Sequence, residues 1–188
     1  MLADEIRDEG LYPYFHALES RQDTEVIMEG KRRIMLGSNN YLGLTTCPEV
    51  IEAGIHAYEK LGSGCSGSRF LNGTLKLHLE LEAELADFLH KEATVTFSTG
   101  FQSNLGIISA IVGMHDYVIM DRENHASLYD GCRLSYGKML RYRHNDMSDL
   151  EKKLQKVPDS CGCLIVTDGV FVGEAYLSKG GIWLRYGM

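Results

Sequence analysis

Proline is scarce in this chain of 188 residues, with three, and tryptophan occurs once. Few prolines beside 20 glycines exclude a Pro-rich linker and point to tight loops and close backbone packing. Long hydrophobic runs are missing as well. The longest apolar stretches fall far short of the ~18–20 residues a membrane-spanning helix needs, so no membrane span is expected. Positive charge is in deficit: 19 Lys and Arg against 26 Asp and Glu leave a formal net charge of −7. Such a chain has no general attraction for a phosphate backbone, and no nucleic-acid partner is expected. Anions then bind only through local backbone donors or a few placed cations. The N-terminal MLADEIRDEG is acidic and lacks the apolar core of a secretory signal, so a cytoplasmic protein is expected.

Cysteine is limited to five residues, an odd number: Cys47, Cys65, Cys132, Cys161 and Cys163. No CxxC pair occurs, and no His or Cys completes zinc-ligand spacing. The expectation is no metal site and free, reduced, mostly buried thiols.

What is present is a change of pattern along the chain. Residues 1–25 read as a polar, partly helical arm, followed by a hairpin in VIMEGKRRIMLGS with its turn at Glu29 and Gly30. Thr46 and Pro48 start a helix on which Val50, Ile51, Ile55, Tyr58 and Leu61 recur at helical spacing. A Gly-rich loop at 62–73 leads to a second helix, 75–90. From there strand and helix alternate: strand 93–97, helix 102–113, strand 117–120, helix 126–136, strand 139–143, a charged helix in 146–156 and strand 163–167. Ser148 is the expected N-cap of that charged helix, with Glu151 three residues on. Alternation of this kind predicts an α/β fold, a mostly parallel sheet with helices on both faces. Ligands of such sheets bind beyond the carboxyl ends of the strands, here the loops 98–102, 121–125 and 168–171.

Gly62-Ser63-Gly64-Cys65-Ser66-Gly67 matches G-x-G-x-x-G. The dinucleotide fingerprint needs a strand before it, whereas IEAGIHAYEKLG has helical period. The better reading is a loop of close backbone approach, with Arg69 as its one basic group. Residues 98–102, Ser-Thr-Gly-Phe-Gln, lie between a strand and a helix. Free amides and the positive end of the helix dipole make such a turn an anion site, or a simple cap. His125, after Asn124 at a strand end, is either a hydrogen-bonded structural group or one that stacks on a planar ring and moves a proton. Asn39 and Asn40 bind a carboxylate or cap the turn into Tyr41-Leu42-Gly43-Leu44.

Together these segments resemble the α-oxoamine synthases, a family of pyridoxal 5′-phosphate (PLP) enzymes. The resemblance is carried by GSNNYLGLTTCPEV, GSGCSGSRFLNGT, HLELEAELADFL, FSTGFQSNLG, DRENHASLYDGCRLS, YRHNDMSDLEKKL and LIVTDGVF, in family order. It spans residues 11–171, and its wording is most similar to bacterial serine palmitoyltransferase-like sequences. It implies a fold-type I PLP-dependent transferase large domain, here truncated. It also implies condensation of an amino acid with an acyl-CoA, and a homodimer. Gly100 and Phe101 then match the phosphate-binding turn, with a hydroxyl added by Thr99. His125 matches the catalytic histidine that stacks on the pyridine ring. Asn39 matches an asparagine near the substrate carboxylate, and Tyr41 and Arg69 match positions at the dimer interface and site mouth. His78 reads as structural.

After Phe171 the resemblance stops. The family's Ser-Met-Asp-Gly is replaced from Val172 onward, and no Asp-x-x-His segment for the pyridinium nitrogen follows. Lys179 stands in a Ser-Lys-Gly-Gly string but comes too soon after the departure to be the Schiff-base lysine. The expected organisation is an arm and hairpin over 1–45, a partial transferase domain over 46–171 and an aberrant tail over 172–188. The expected function is an N-terminal part of a serine palmitoyltransferase-like enzyme, inactive alone. The alternatives are a part of an 8-amino-7-oxononanoate synthase or 2-amino-3-ketobutyrate CoA ligase, and, in another class, a non-catalytic docking subunit.

Overall fold

The structure, a computed structural model, describes residues 2–12, 15–169, 171 and 183–185. It divides into two compact units, Met1–Leu75 and Lys76–Met188.

In the first unit α1 (Leu2–Asp8) precedes a hairpin of β1 (Glu25–Met28) and β2 (Lys31–Ile34). Glu29 and Gly30 form its two-residue turn with φ of 52° and 69°, the positive pair that matches the twist of the strands. α2 (Pro48–Leu61) starts with proline in its first turn, where no amide is needed, and ends on Gly62 at φ 83°. A helix therefore does precede the Gly-rich loop, and the dinucleotide reading fails on context. The loop is one of close approach: a side chain on Gly73 would collide with the backbone of Gly67. The apolar stripe of α2 stays uncovered in this unit, with Val50, Ile55 and Tyr58 all exposed.

The second unit holds α3 (Lys76–Phe88), α4 (Gly100–Ile111), β3 (Tyr117–Asp121), α5 (Ala126–Leu134), β4 (Lys138–Tyr142), α6 (Met147–Leu154), β5 (Cys163–Val166) and β6 (Trp183–Arg185). The sheet order is β4-β3-β5-β6, with β3 parallel to both neighbours and β6 antiparallel to β5. β3 is central and its inward residues Val118, Ile119 and Met120 are fully buried, because both faces are covered. Ile108 of α4, Val112 just after it, and Leu128 and Cys132 of α5 pack with Val118, Met120, Leu164 and Val166 on one face. Leu150 and Leu154 of α6 pack with Ile119, Tyr142 and Cys163 on the other. The predicted parallel sheet with helices on both faces is thus present.

α4 and α5 meet closely at Gly131, where an added Cβ would lie 2.8 Å from the Asn104 carbonyl oxygen and 3.1 Å from Ile108. At the amino-terminal edge one carboxylate, Asp116, accepts from the amides of Gly113 (2.7 Å) and Gly162 (3.2 Å), tying the starts of β3 and β5.

Three expectations change. Residues 93–97 join no ladder: Thr96 turns its amide and hydroxyl to the Glu82 carboxylate, both at 2.9 Å, instead of to a strand. The charged helix is capped by Asp146, not Ser148; its carboxylate accepts from the Asp149 amide at 2.9 Å and so starts the helix two residues earlier. Of the cysteines, only Cys132 and Cys163 are buried, Cys65 is exposed and the other two are intermediate. Burial pushes the Cys132 thiol up to about 11. The changes expected at Val172 and Lys179 lie outside the described residues. Among the described residues no helix is long and apolar enough to cross a membrane, and no cluster of metal-ligating side chains occurs.

Candidate functional site

The chain runs from β3 through α5 to β4 on one side, then through α6 across to β5 on the other. The connections therefore reverse between β3 and β5, and the usual ligand position in such sheets is beyond the carboxyl ends of the strands at that point. α4 leads into β3 through the short connection 112–116 and packs on the same face as α5. It therefore runs antiparallel to β3, and its N-terminus comes to the same end of the sheet.

Thr99 is the N-cap of α4. Its hydroxyl accepts from the Gln102 amide at 3.1 Å and its carbonyl from the Ser103 amide at 3.0 Å. The amides of Gly100 and Phe101 precede the helix's own ladder, and among the described residues nothing engages them. No heavy atom lies within 4 Å of a Cβ built on Gly100, so an anion can approach closely. Phe101 and His125 meet edge to face, ring centroids 6.3 Å apart at 80°. Four of the residues predicted from sequence, Thr99, Gly100, Phe101 and His125, are therefore neighbours.

Three polar side chains build the loop that carries His125. Asn124, 7% exposed, donates to the Val166 carbonyl and accepts from the Asp168 amide, both at 3.0 Å. It links the segment after β3 to the end of β5, where the backbone ladder has run out. The Asp168 carboxylate accepts from the His125 amide at 2.6 Å. Asp121, the last residue of β3, is 1% exposed and faces β4: its carboxylate accepts from the Glu123 amide (2.9 Å), the Asn145 amide (3.1 Å) and His144 Nδ1 (3.0 Å). Phe171 closes over His144, rings 4.4 Å apart. Beneath them burial pushes the Tyr142 phenol above its ordinary range. A bond with Thr167 opposes that shift, and the Asp121 charge reinforces it.

His125 itself caps α5, its Nδ1 accepting from the Ser127 amide at 3.2 Å. The Ser127 hydroxyl lies 2.7 Å from the same nitrogen and receives a bond from Asn104 Nδ2 of α4 at 2.9 Å.

Asn39 and Arg69 belong to the first unit. Asn39 is exposed and accepts from the Tyr41 hydroxyl at 3.2 Å, on a concave surface shared with Ser38 and Thr45. The capping role falls to its neighbour Asn40, whose side chain accepts from the Thr45 amide at 3.2 Å. The Arg69 carbonyl accepts from the Thr74 hydroxyl at 2.6 Å, folding the Gly-rich loop around it. Tyr41 is 84% exposed. Sequence reasoning missed Asn104, Asp121, Asn124, Ser127 and His144; for Asp121, Asn124 and His144 a polar residue at or just after a strand end was the available signal, and the helix-borne Asn104 and Ser127 offered none.

The donor set fits an anion at the α4 N-terminus and a planar ring near His125. The aminotransferase class I and II profile matches residues 31–171. A serine palmitoyltransferase of Sphingobacterium spiritivorum is 54% identical over 173 residues, which is 92% of this chain and 43% of that protein. An 8-amino-7-oxononanoate synthase of Thermoanaerobacter pseudethanolicus is 43% identical over 177 residues, 94% of this chain and 45% of that protein. Among solved structures, a serine palmitoyltransferase from S. paucimobilis with a bound PLP–myriocin aldimine superposes with a TM-score of 0.89 at 42% identity, covering 94% of this chain and 45% of that one. The chain thus spans less than half the length of the relatives it matches. With the profile covering most of its length, the chain belongs to the aminotransferase class I and II family.

Proposed function

We propose that this chain carries the phosphate- and ring-binding part of a PLP-dependent acyltransferase of the serine palmitoyltransferase type, acting on an amino acid and an acyl-CoA. The observation that carries the reading is the open α4 N-terminus set beside the His125 ring. The identity to serine palmitoyltransferases, higher than to the 8-amino-7-oxononanoate synthase, supports the choice of reaction.

In this reading Thr99, Gly100 and Phe101 hold the phosphate: two unengaged amides and the helix dipole stabilise the dianion without a cationic side chain. Asn124 and Asp168 fix the backbone of His125, so that its ring faces the cofactor in one orientation. Phe101 packs at the edge of that ring and excludes water from one side. Bound PLP supplies the electron sink for chemistry at the amino acid's α-carbon. Asn39 and Arg69 serve the substrate in the assembled enzyme. We take that enzyme to be a cytoplasmic homodimer, which would cover exposed apolar residues such as Leu36, Leu42 and Phe70.

The test is equilibrium binding of PLP to the 188-residue chain by absorbance and fluorescence, with pyridoxal as the phosphate-free control. PLP should bind more tightly than pyridoxal, and Gly100→Pro, which removes one of the two amides, should narrow the gap. Equal affinity for the two ligands would overturn the reading.

A further inference from the structure

His125 is called on for two tasks, and they constrain where its proton sits. As N-cap of α5 its Nδ1 must offer a lone pair to the Ser127 amide, 3.2 Å away. A second donor converges on the same nitrogen. Asn104 Nδ2 has only protons to give, so at 2.9 Å the Ser127 oxygen is the acceptor of that bond. The hydroxyl proton of Ser127 is then free to turn to Nδ1, 2.7 Å away. Ser127 is 1% exposed, so no water competes for its hydroxyl. A proton on Nδ1 would face both of these donors and cost the cap.

We propose that Asn104 and Ser127 are positioning residues that lock the His125 imidazole in its Nε2–H tautomer. The ring then presents a hydrogen-bond donor, not an acceptor, to whatever occupies the site. Among the described residues nothing engages Nε2. The relay runs from α4, whose N-terminus begins the anion turn, to the first turn of α5. One helix thus sets both the turn and the tautomer. His144 is held the opposite way: the Asp121 carboxylate, an acceptor, lies 3.0 Å from its Nδ1 and calls for a donor at that nitrogen. The use of this donor rests on the functional reading above, whereas the tautomer itself does not.

The experiment is long-range proton–nitrogen correlation NMR on the full 188-residue chain labelled with nitrogen-15 histidine. Protonated and unprotonated ring nitrogens resonate far apart, so each tautomer has its own pattern. His125 is assigned by loss of its signals in His125→Gln. The expected result is a protonated Nε2 and an unprotonated Nδ1 above neutral pH. Ser127→Ala should move the pattern towards a tautomer mixture, Asn104→Ala should do so less, and Ser127→Thr should restore it. An Nδ1–H pattern in the wild type would overturn the proposal. So would a pattern unchanged in a Ser127→Ala protein whose other histidine signals show it is folded. Adding PLP is a separate arm: no response at His125 counts against the functional reading, while the tautomer is decided by the ligand-free spectra.

Discussion

Replacing Asn124 by alanine removes one side chain and two hydrogen bonds, and the structure gives the scale of the loss. The amide is 7% exposed, and its partners are the carbonyl of Val166, itself fully buried, and the amide of Asp168. A neutral intramolecular bond contributes about 1 kcal/mol net, and an orphaned buried group costs about 1–3 kcal/mol. Val166 sits too deep for water to replace the lost donor, whereas the half-buried Asp168 amide is partly recovered by solvent. The expected destabilisation of Asn124→Ala is therefore about 2–4 kcal/mol, read as a shift in urea unfolding followed by far-ultraviolet circular dichroism. Faster hydrogen exchange at the Asp168 amide should accompany it. Asn124→Asp separates the two bonds. Its carboxylate still accepts from Asp168 but cannot donate to Val166, and it faces a carbonyl oxygen instead. Its folded pKa should be raised above the ordinary ~3.9 of Asp. The stability it retains is then fully present below that value, where the protonated acid donates again, and is lost as pH rises through the folded pKa. An Asn124→Ala protein within about 0.5 kcal/mol of wild type, or an Asn124→Asp deficit that does not narrow on acidification, would show that this residue is not the brace between β3 and β5.

Further outcomes follow from the packing and the titrating groups. Ile108→Ala, at a residue 2% exposed between α4 and the sheet, should cost about 2–5 kcal/mol in the same unfolding assay. Gly131→Ala, facing the Asn104 backbone at 2.8 Å, should cost about 1–3 kcal/mol by forcing α4 and α5 apart. Unfolding free energy should fall as pH rises from about 9 to about 11, because the unfolded Cys132 thiol ionises there while the buried one, held at about 11, does not. Cys132→Ala should flatten that slope. At the acid end the Arg143 amide holds the Asp149 carboxyl below its ordinary range, helped by Lys153, Arg143 and Lys152 and opposed by desolvation. Stability from Asp149 is present above its unfolded pKa and lost as pH falls through the folded one, so Asp149→Asn should flatten the acid limb of a stability–pH curve.

Between residues 100 and 166 the sequence by itself determined the element order, because helical period and short apolar runs alternate there; β6 (Trp183–Arg185) lies in a stretch that it marked only as a tail. It also determined the hairpin, since Glu29-Gly30 between two strand-like runs suits a two-residue turn, and it marked residues 98–102 as an anion site or a simple cap without deciding between them. The tail of the pattern was less legible. Residues 93–97 have strand chemistry, yet a strand exists only when a neighbour pairs with it, and Glu82 takes up the Thr96 donors instead. The start of α6 was misplaced by two residues: Ser148 is a good capping type, but the Asp146 carboxylate takes the Asp149 amide and also pairs with Arg143. Only the tertiary structure decided the partners of the site. His125 was readable as a residue at a strand end, but Asn104, 21 positions earlier, reaches it because α4 and α5 close to backbone contact at Gly131. Asp121 and Asn124 looked like ordinary polar loop residues. Their roles depend on β4 and β5 lying on either side of β3, an order set by crossover handedness and burial that local sequence does not encode.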